Sequence, residues 1–441
     1  MKVAKVLLVL AVFATLFTIT ARADEVSDWN QNLFEAARLN VPPSSPLVAT
    51  RNAAMVQAAV FDAINGIERR FTPVHVAPAA ERGASRRAAA VQAAYAILVR
   101  LYPSQSADLL AKRDASLAAI SGGDDDDDGD DDHSDHHHHS GQSVERGIAW
   151  GQTVADAIWA WRLTDGFSPA PPPFLGGTNV GQWRPSPPGF LAGAGVQFSY
   201  MTPWVIESPA QFRPAGPPAL TSARYAADFN ETKFKGDLSG LNRTEDESLY
   251  SRFWNASTAS YFWNQVALSL AERRHLSLSE KAHLLASMNL AVADAIIGCW
   301  EAKYFYVFWR PVTAIPLANT DGNPNTIDGP FTSYLITPNH PEYPSGHSSA
   351  SGAAARVLAK TFGEHTRFSV TSDAPDMAGV IRSFRSFTEA TDEVKNARIF
   401  AGIHFRSACD DGTQLGGRVA DYVRSNSLRR VHGHDDGDDD Q

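Results

Sequence analysis

Apolar residues recur along most of this chain at spacings of three and four, the pattern of helices with one buried face, and strand-type alternation is nowhere sustained. Residues 28–39 are amphipathic at helical spacing, and Pro42-Pro43 follow them. Over residues 45–67, Val48, Ala53, Met55, Ala59, Val60 and Ile64 repeat at helical intervals, which predicts a long buried helix. Further helices are predicted over 85–101, 107–120, 144–163, 244–271, 279–308, 345–362, 378–405 (as two helices) and 412–428. Residues 164–218 break the pattern. They are dense in Pro and Gly but carry Trp183, Trp204 and Phe212, whose rings need burial, so an ordered wrapping loop is expected rather than a linker. The expected fold class is all-α, a helical bundle forming one large domain over residues 24–430. Residues 24–240 supply the N-terminal helices and the loop, and 241–430 the part that carries the chemistry.

The first 23 residues stand apart. Lys2 and Lys5 precede an apolar run over 6–18, and Ala21-Arg22-Ala23 places small residues where a signal peptidase reads. The run is shorter than the ~20 residues that span a bilayer. A cleaved signal over 1–23 and an exported protein, secreted or periplasmic, are expected, with no membrane span after signal removal.

The chain of 441 residues has a formal charge of −10, yet this acidity is local. Of the 49 Asp and Glu, nine lie in residues 124–135 and five in 435–440, leaving 35 against 39 Lys and Arg. A mildly basic fold excludes a broad nucleic-acid-binding face. The insert at 122–140 and the tail at 431–441 hold seven of the 14 histidines and are expected to be solvated, disordered low-complexity segments, because nothing in them fixes a coordination geometry. Seven histidines remain for the fold. Cys299 and Cys409 are no disulfide framework, and whether they form one bridge stays open.

Three short segments in the last third carry candidate chemistry. In Lys303-Tyr-Phe-Tyr-Val-Phe-Trp-Arg310-Pro311 two cations stand seven apart among aromatic and aliphatic residues, about two helical turns, so that they can share a face, with Pro311 ending the element. Tyr343-Pro-Ser345-Gly346-His347 opens onto a helix. Ser345 suits its N-cap, and Gly346 leaves backbone N–H groups open to an anion. Arg398-Ile-Phe-Ala-Gly-Ile-His404 adds a cation and an imidazole in an apolar stretch. Three cations held together repel one another unless an anion sits among them, so the set suits a small, highly charged tetrahedral oxyanion.

In order and spacing, Lys-x6-Arg-Pro, Pro-Ser-Gly-His and Arg-x5-His resemble the superfamily of type 2 phosphatidic acid phosphatases and vanadium-dependent haloperoxidases. The likeness covers residues 303–404, and the helical pattern and aromatic loop upstream look like its larger, soluble haloperoxidase branch. The resemblance implies vanadate as cofactor, a site that phosphate can also occupy. Lys303, Arg310, Ser345, Gly346 and Arg398 would hold its oxygens, His404 would be the axial vanadium ligand, and His347 the acid/base residue. Hydrogen peroxide would then oxidise halide, bromide rather than chloride, to hypohalous acid that reacts with a small organic substrate, with no change in the redox state of vanadium. His340, in Thr337-Pro-Asn-His340-Pro, sits where bromoperoxidase-like members also carry His, and joins the catalytic candidates. The alternative is a secreted acid phosphatase forming a phosphohistidine at His404, and a third reading is a phosphate-binding protein without turnover. Many phosphatase-type members place Asp four residues after the last His. Here Ala408 stands there, Asp410 and Asp411 being the nearest acids, so the partner orienting His404 is unassigned. Asp294, within an apolar run, is expected to support a site cation.

Overall fold

Small polar side chains start most of the helices. Asp24, Ser45, Ser85, Ser222, Thr244, Thr258, Ser277, Ser345 and Ser386 each accept, through the side chain, the backbone N–H three residues on, satisfying a donor that the first turn leaves free. In this computed structural model, which describes residues 24–122 and 136–431, the helices are α1 (Glu25–Leu39), α2 (Pro46–Glu68), α3 (Arg86–Leu101), α4 (Ser106–Ser121), α5 (His136–Arg162), α6 (Ala223–Gly236), α7 (Glu245–Ala256), α8 (Ala259–Arg273), α9 (Leu278–Tyr306), α10 (Pro311–Ala314), α11 (Gly346–Phe362), α12 (Phe387–Phe400) and α13 (Arg406–Asn426). The expected signal segment, most of the Asp/His insert and the acidic tail lie outside the described residues.

α2, α3 and α5 pack together in the N-terminal half, and α9, α11, α12 and α13 in the C-terminal half, with α2 lying against α9 between them. One apolar core runs through both halves, from Val26 to Leu428. A smaller one gathers Tyr225, Phe229, Phe308, Trp309 and Phe405. α9 is long and apolar enough to cross a membrane, but 94% of its most apolar window is buried within the protein, as befits a core helix. The loop over 164–218 holds no α-helix, only a short 3-10 turn at Val196–Ser199, and buries Trp183, Phe198 and Trp204.

α2 and α9 share a short sequence, Ala-Val-Phe-Asp-Ala-Ile-Asn-Gly at 59–66 and Ala-Val-Ala-Asp-Ala-Ile-Ile-Gly at 291–298. Each aspartate is wholly buried and ties down a loop. Asp62 accepts the N–H groups of Val74, His75 and Val76 at 2.7 to 2.9 Å, and Asp294 those of Trp204, Val205 and Ile206 at 2.7 to 3.0 Å. Burial still pushes both carboxyl groups up to about 6, against the pull of those three donors. Asp294 thus anchors the wrapping loop and does not support a site cation. The arginine acting on it is Arg162, outside the three motifs.

The structure departs from the sequence reading in several elements. α6 was not expected. The helix expected over 244–271 is two, parted at Ser257-Thr258, where Thr258 caps α8. Residues 378–405 hold one helix rather than two, because Ile381–Phe384 (β2) pairs antiparallel with Phe368–Thr371 (β1) in an otherwise helical fold.

Candidate active site

The first motif does not form one continuous helical face. α9 ends at Tyr306 because Val307 turns into the left-handed region at φ 49°, and residues 307–309 are taken up in bonds to the wrapping loop: Trp183 N–H to the Val307 carbonyl and Trp309 N–H to the Gly181 carbonyl. Arg310 is therefore extended, and Pro311 starts α10 behind it. Lys303, in the last turn of α9, and Arg310 nevertheless converge on one segment. Lys303 Nζ donates to the carbonyls of Pro341 (2.7 Å) and Glu342 (3.0 Å), and Arg310 Nε donates to that of His340 (2.9 Å).

His404 lies beyond α12, in a turn made by Gly402 at φ 77°. A side chain at Gly402 would also collide with the Gly236 carbonyl at the end of α6, so a glycine is needed for both conformation and approach. Thr232 of α6 donates to the His404 carbonyl, fixing the turn from the other side. The imidazole is 2% exposed and held at both nitrogens. Nδ1 is 2.9 Å from Glu342 Oε1, and Nε2 is 3.0 Å from Arg310 Nη1. An arginine only donates, so Nε2 is the acceptor and Nδ1 carries the proton, donated to Glu342. Glu342 also accepts the Phe405 N–H (2.9 Å), while its Oε2 has no partner among the described residues. This glutamate is the carboxylate missing from the last motif. Asp410 pairs with Lys395, and Asp411 accepts from the Tyr343 hydroxyl. The one signal for Glu342 in the sequence was an acid amid prolines, five residues before His347.

The same argument settles His340. Arg310 Nη2 donates to its Nδ1 (3.0 Å), so the proton is on Nε2, and the 3.2 Å approach of Nδ1 to the Pro341 carbonyl holds no hydrogen. Its ring lies against Trp300, centroids 4.9 Å apart. Ser345 caps α11 with its hydroxyl and is fully buried, accepting from Ser348 N–H at 3.4 Å. Arg398 Nη1 donates to Asn255 Oδ1 (3.1 Å), so the end of α7 positions the guanidinium. The break between α7 and α8 is what brings that end to the site.

A cavity of about 570 Å³ reaches this cluster from the surface. Gly346, His340, His347, Arg398 and His404 line it, together with Trp300 and Asn255, whereas Lys303, Arg310 and Ser345 lie behind the wall. Trp300 and Asn255 escaped the sequence reading. Trp309, inside the first motif, is wholly buried in the smaller core.

Burial dominates the electrostatics. It lowers Lys303 to about 7, Arg398 to about 9 and Arg310 to about 10. Burial, and after it the field of Lys303, Arg310 and Arg398, holds His347 and His404 well below the usual imidazole range, with burial, Lys303 and Arg310 doing the same for His340. Glu342 is pushed up to about 7 by burial, against the pull of Arg310. Three buried cations therefore face one buried carboxylate, and Arg398 Nε has no partner among the described residues. An oxyanion of tetrahedral type fits this donor set, supplying the missing negative charge and an acceptor for the free N–H. Cys299 and Cys409 are free and buried.

Residues 283–433 match the family model described as the VCPO second helical-bundle domain. The chain is 24% identical over 260 residues to the vanadium chloroperoxidase of Curvularia inaequalis, a match spanning 44% of this chain and 42% of that protein. Among solved structures it is similar to the first bacterial vanadium-dependent iodoperoxidase (26% identity, TM-score 0.76, 92% of this chain and 97% of that one). It also shares the fold of a bacterial vanadium-dependent chloroperoxidase in its apo form (17%, TM-score 0.64, covering 86% and 94%) and its holo form (18%, TM-score 0.65, covering 86% and 92%). With a helical fold matched over nearly its whole length and three buried cations gathered around a tautomer-fixed histidine, the chain is similar to the vanadium haloperoxidases in fold and in its C-terminal helical-bundle domain.

Proposed function

We propose that this chain is a vanadate-dependent haloperoxidase that uses hydrogen peroxide to oxidise halide, bromide ahead of chloride, to hypohalous acid. The observation that carries this reading is His404, whose tautomer is fixed by Glu342 so that the Nε2 lone pair points into a nest of buried cations. Bound vanadate would supply Lewis-acid activation of peroxide. Lys303, Arg310, Arg398, Ser345 and the Gly346 N–H would hold its oxygens, and His404 Nε2 would be its protein ligand. His347, reachable from the cavity, moves a proton between solvent and the site. Its proton affinity depends on the anion, because negative charge offsets the cations that now hold the imidazole neutral. His340 keeps its Nε2–H as a donor while Arg310 occupies Nδ1. Bromide stands ahead of chloride because it gives up electrons more readily.

The test is bromination of a dye by the purified protein with peroxide, with and without vanadate, and again with excess phosphate. Turnover that needs vanadate and is suppressed by phosphate supports the reading. Hydrolysis of a phosphomonoester that vanadate inhibits, without bromination, would assign the pocket to a phosphatase instead. Iodide, bromide and chloride run side by side rank the halides. Export belongs to the same proposal, and recovery of the protein in the cytoplasmic fraction alone would contradict it.

A further inference from the structure

On the haloperoxidase reading, halide is the charged reactant consumed at every turnover, and its path inward is unfavourable. Between the surface and the cation cluster the cavity is walled largely by Leu47, Val48, Phe198, Tyr261, Ile296 and Trp300. Such a wall offers an anion no hydrogen bond in place of the water it gives up. Hydrogen peroxide is neutral and meets a smaller penalty. Whatever favours halide entry over that penalty has to come from the few charged groups along the passage.

A second cavity, of about 490 Å³, adjoins the first, and the two share Phe34, Arg38, Tyr261 and Asp373. Phe34 and Tyr261 meet edge to face, centroids 5.8 Å apart, as the apolar side of this junction. Its charges are Arg38 and Asp373. Among the described residues they are the only Arg, Lys, Asp or Glu lining the larger cavity besides Arg398. Burial, and after it the field of Asp373, pushes the Tyr261 hydroxyl up, while Arg38 pulls it down, so both charges act on the same ring. Arg38, in the last turn of α1, is exposed, and Glu35 one turn earlier is taken by Lys112 at 2.7 Å. Asp373 is half-buried and accepts the Ser257 hydroxyl.

Helix starts set the background potential. The first turn of α2, Ser45 to Thr50, and that of α8, at Thr258 and Ala259, line the same cavity, and Thr50 Oγ1 and Ser260 Oγ, 2.7 Å apart, tie the two together. Their positive ends favour negative charge inside the cavity. Arg38 adds a full charge at the junction. We propose that Arg38 is the entry residue for halide: its guanidinium gathers the anion where the two cavities meet, and Asp373 tempers that attraction, so that the pair sets the halide concentration at which the enzyme works. The inference rests on the haloperoxidase reading and adds to it a specificity-determining pair outside the anion cradle. Neither residue makes or breaks a bond. Arg38 acts through its field, and neutral peroxide passes without its help.

The experiment measures kcat/KM for bromide at saturating peroxide, and for peroxide at saturating bromide, with the vanadate-loaded full chain and its variants. Charged clefts raise the local concentration of a counter-ion, and at low ionic strength Arg38→Gln should lower kcat/KM for bromide by about threefold. Arg38→Glu reverses the charge, so the factor is squared to about tenfold. Asp373→Asn, which keeps an acceptor for Ser257, should raise the same constant by about threefold. All three should leave kcat/KM for peroxide near the wild-type value. Sodium acetate, taken from about 0.01 M to about 1 M, shortens the screening length from ~30 Å to ~3 Å and should bring the four proteins together. Equal losses toward bromide and peroxide, differences that persist in high salt, or an unchanged bromide constant in Arg38→Glu would each overturn the proposal and leave the haloperoxidase reading intact. Absence of vanadate-dependent bromination by the wild-type protein would remove both.

Discussion

Glu342 Oε1 lies 2.9 Å from His404 Nδ1 and accepts its N–H, so the glutamate fixes the tautomer of His404 and leaves Nε2 as the acceptor that faces Arg310. Glu342 is a positioning residue. Glu342→Gln keeps an oxygen for Nδ1 but loses the charge, and should lower vanadate affinity and turnover by about 10- to 100-fold, the usual cost of altering such a partner. Glu342→Ala should cost more. A vanadate titration and steady-state rates check both, and wild-type affinity in the Gln variant would contradict the role of the charge.

Lys303 gives the site a pH dependence of known sign. Burial lowers its ammonium to about 7, so the cation is present below that pH and is lost as pH rises through it. Anion binding favours the charged form and takes up a proton above pH 7. Affinity for sulfate, whose own charge is constant in this range, should fall by up to about tenfold per pH unit above 7. Calorimetry in buffers of different ionisation enthalpy reads the proton uptake directly, and Lys303→Met should flatten the slope.

Arg398 is held by a neutral amide. Asn255→Asp would set a carboxylate against the guanidinium and offset the charge meant for the anion. Since opposite charges a few ångström apart interact by several kcal/mol, sulfate and vanadate should bind at least about tenfold more weakly. Equal affinity would show that Arg398 does not hold the anion.

His347 is separable from anion holding. His347→Ala should abolish peroxide-dependent turnover while leaving vanadate affinity nearly unchanged, which a vanadate titration beside the rate assay would show. Loss of affinity and rate together would move His347 into the binding set.

What the sequence carried and what it hid follow from the range of the interactions. Lys303, Arg310, His347, Arg398 and His404 were legible because each stands in a short motif with an unusual charge among apolar residues. The start of α11 was legible from its cap at Ser345, and the wrapping loop from Pro, Gly and its tryptophans. Glu342, Asn255 and Trp300 were not, because each acts on a residue 45 or more positions away: Glu342 on His404, Asn255 on Arg398, Trp300 on the Gly346 backbone. The end of α9 was misplaced for the same reason. Its early stop at Tyr306 depends on bonds from the loop around Gly181 and Trp183, which no periodicity in residues 279–308 records.

Asp294→Ala should be among the most damaging substitutions outside the site. It would leave the N–H groups of Trp204, Val205 and Ile206 without their acceptor, at a cost of about 3 kcal/mol or more. Urea unfolding measures this, and Asp294→Asn, which keeps one acceptor oxygen, should lose less.

The wrapping loop looks like irregular chain laid over the outside of a bundle, the kind of segment whose amides usually exchange with solvent through brief local opening. Its three successive N–H groups at residues 204–206 end instead on a carboxylate wholly buried in the central helix. They can be released only by uncovering that carboxylate, which means parting α9 from its neighbours. In deuterium these amides should therefore exchange at the rate of global unfolding, slow as a core helix, and the loop belongs kinetically to the interior it covers.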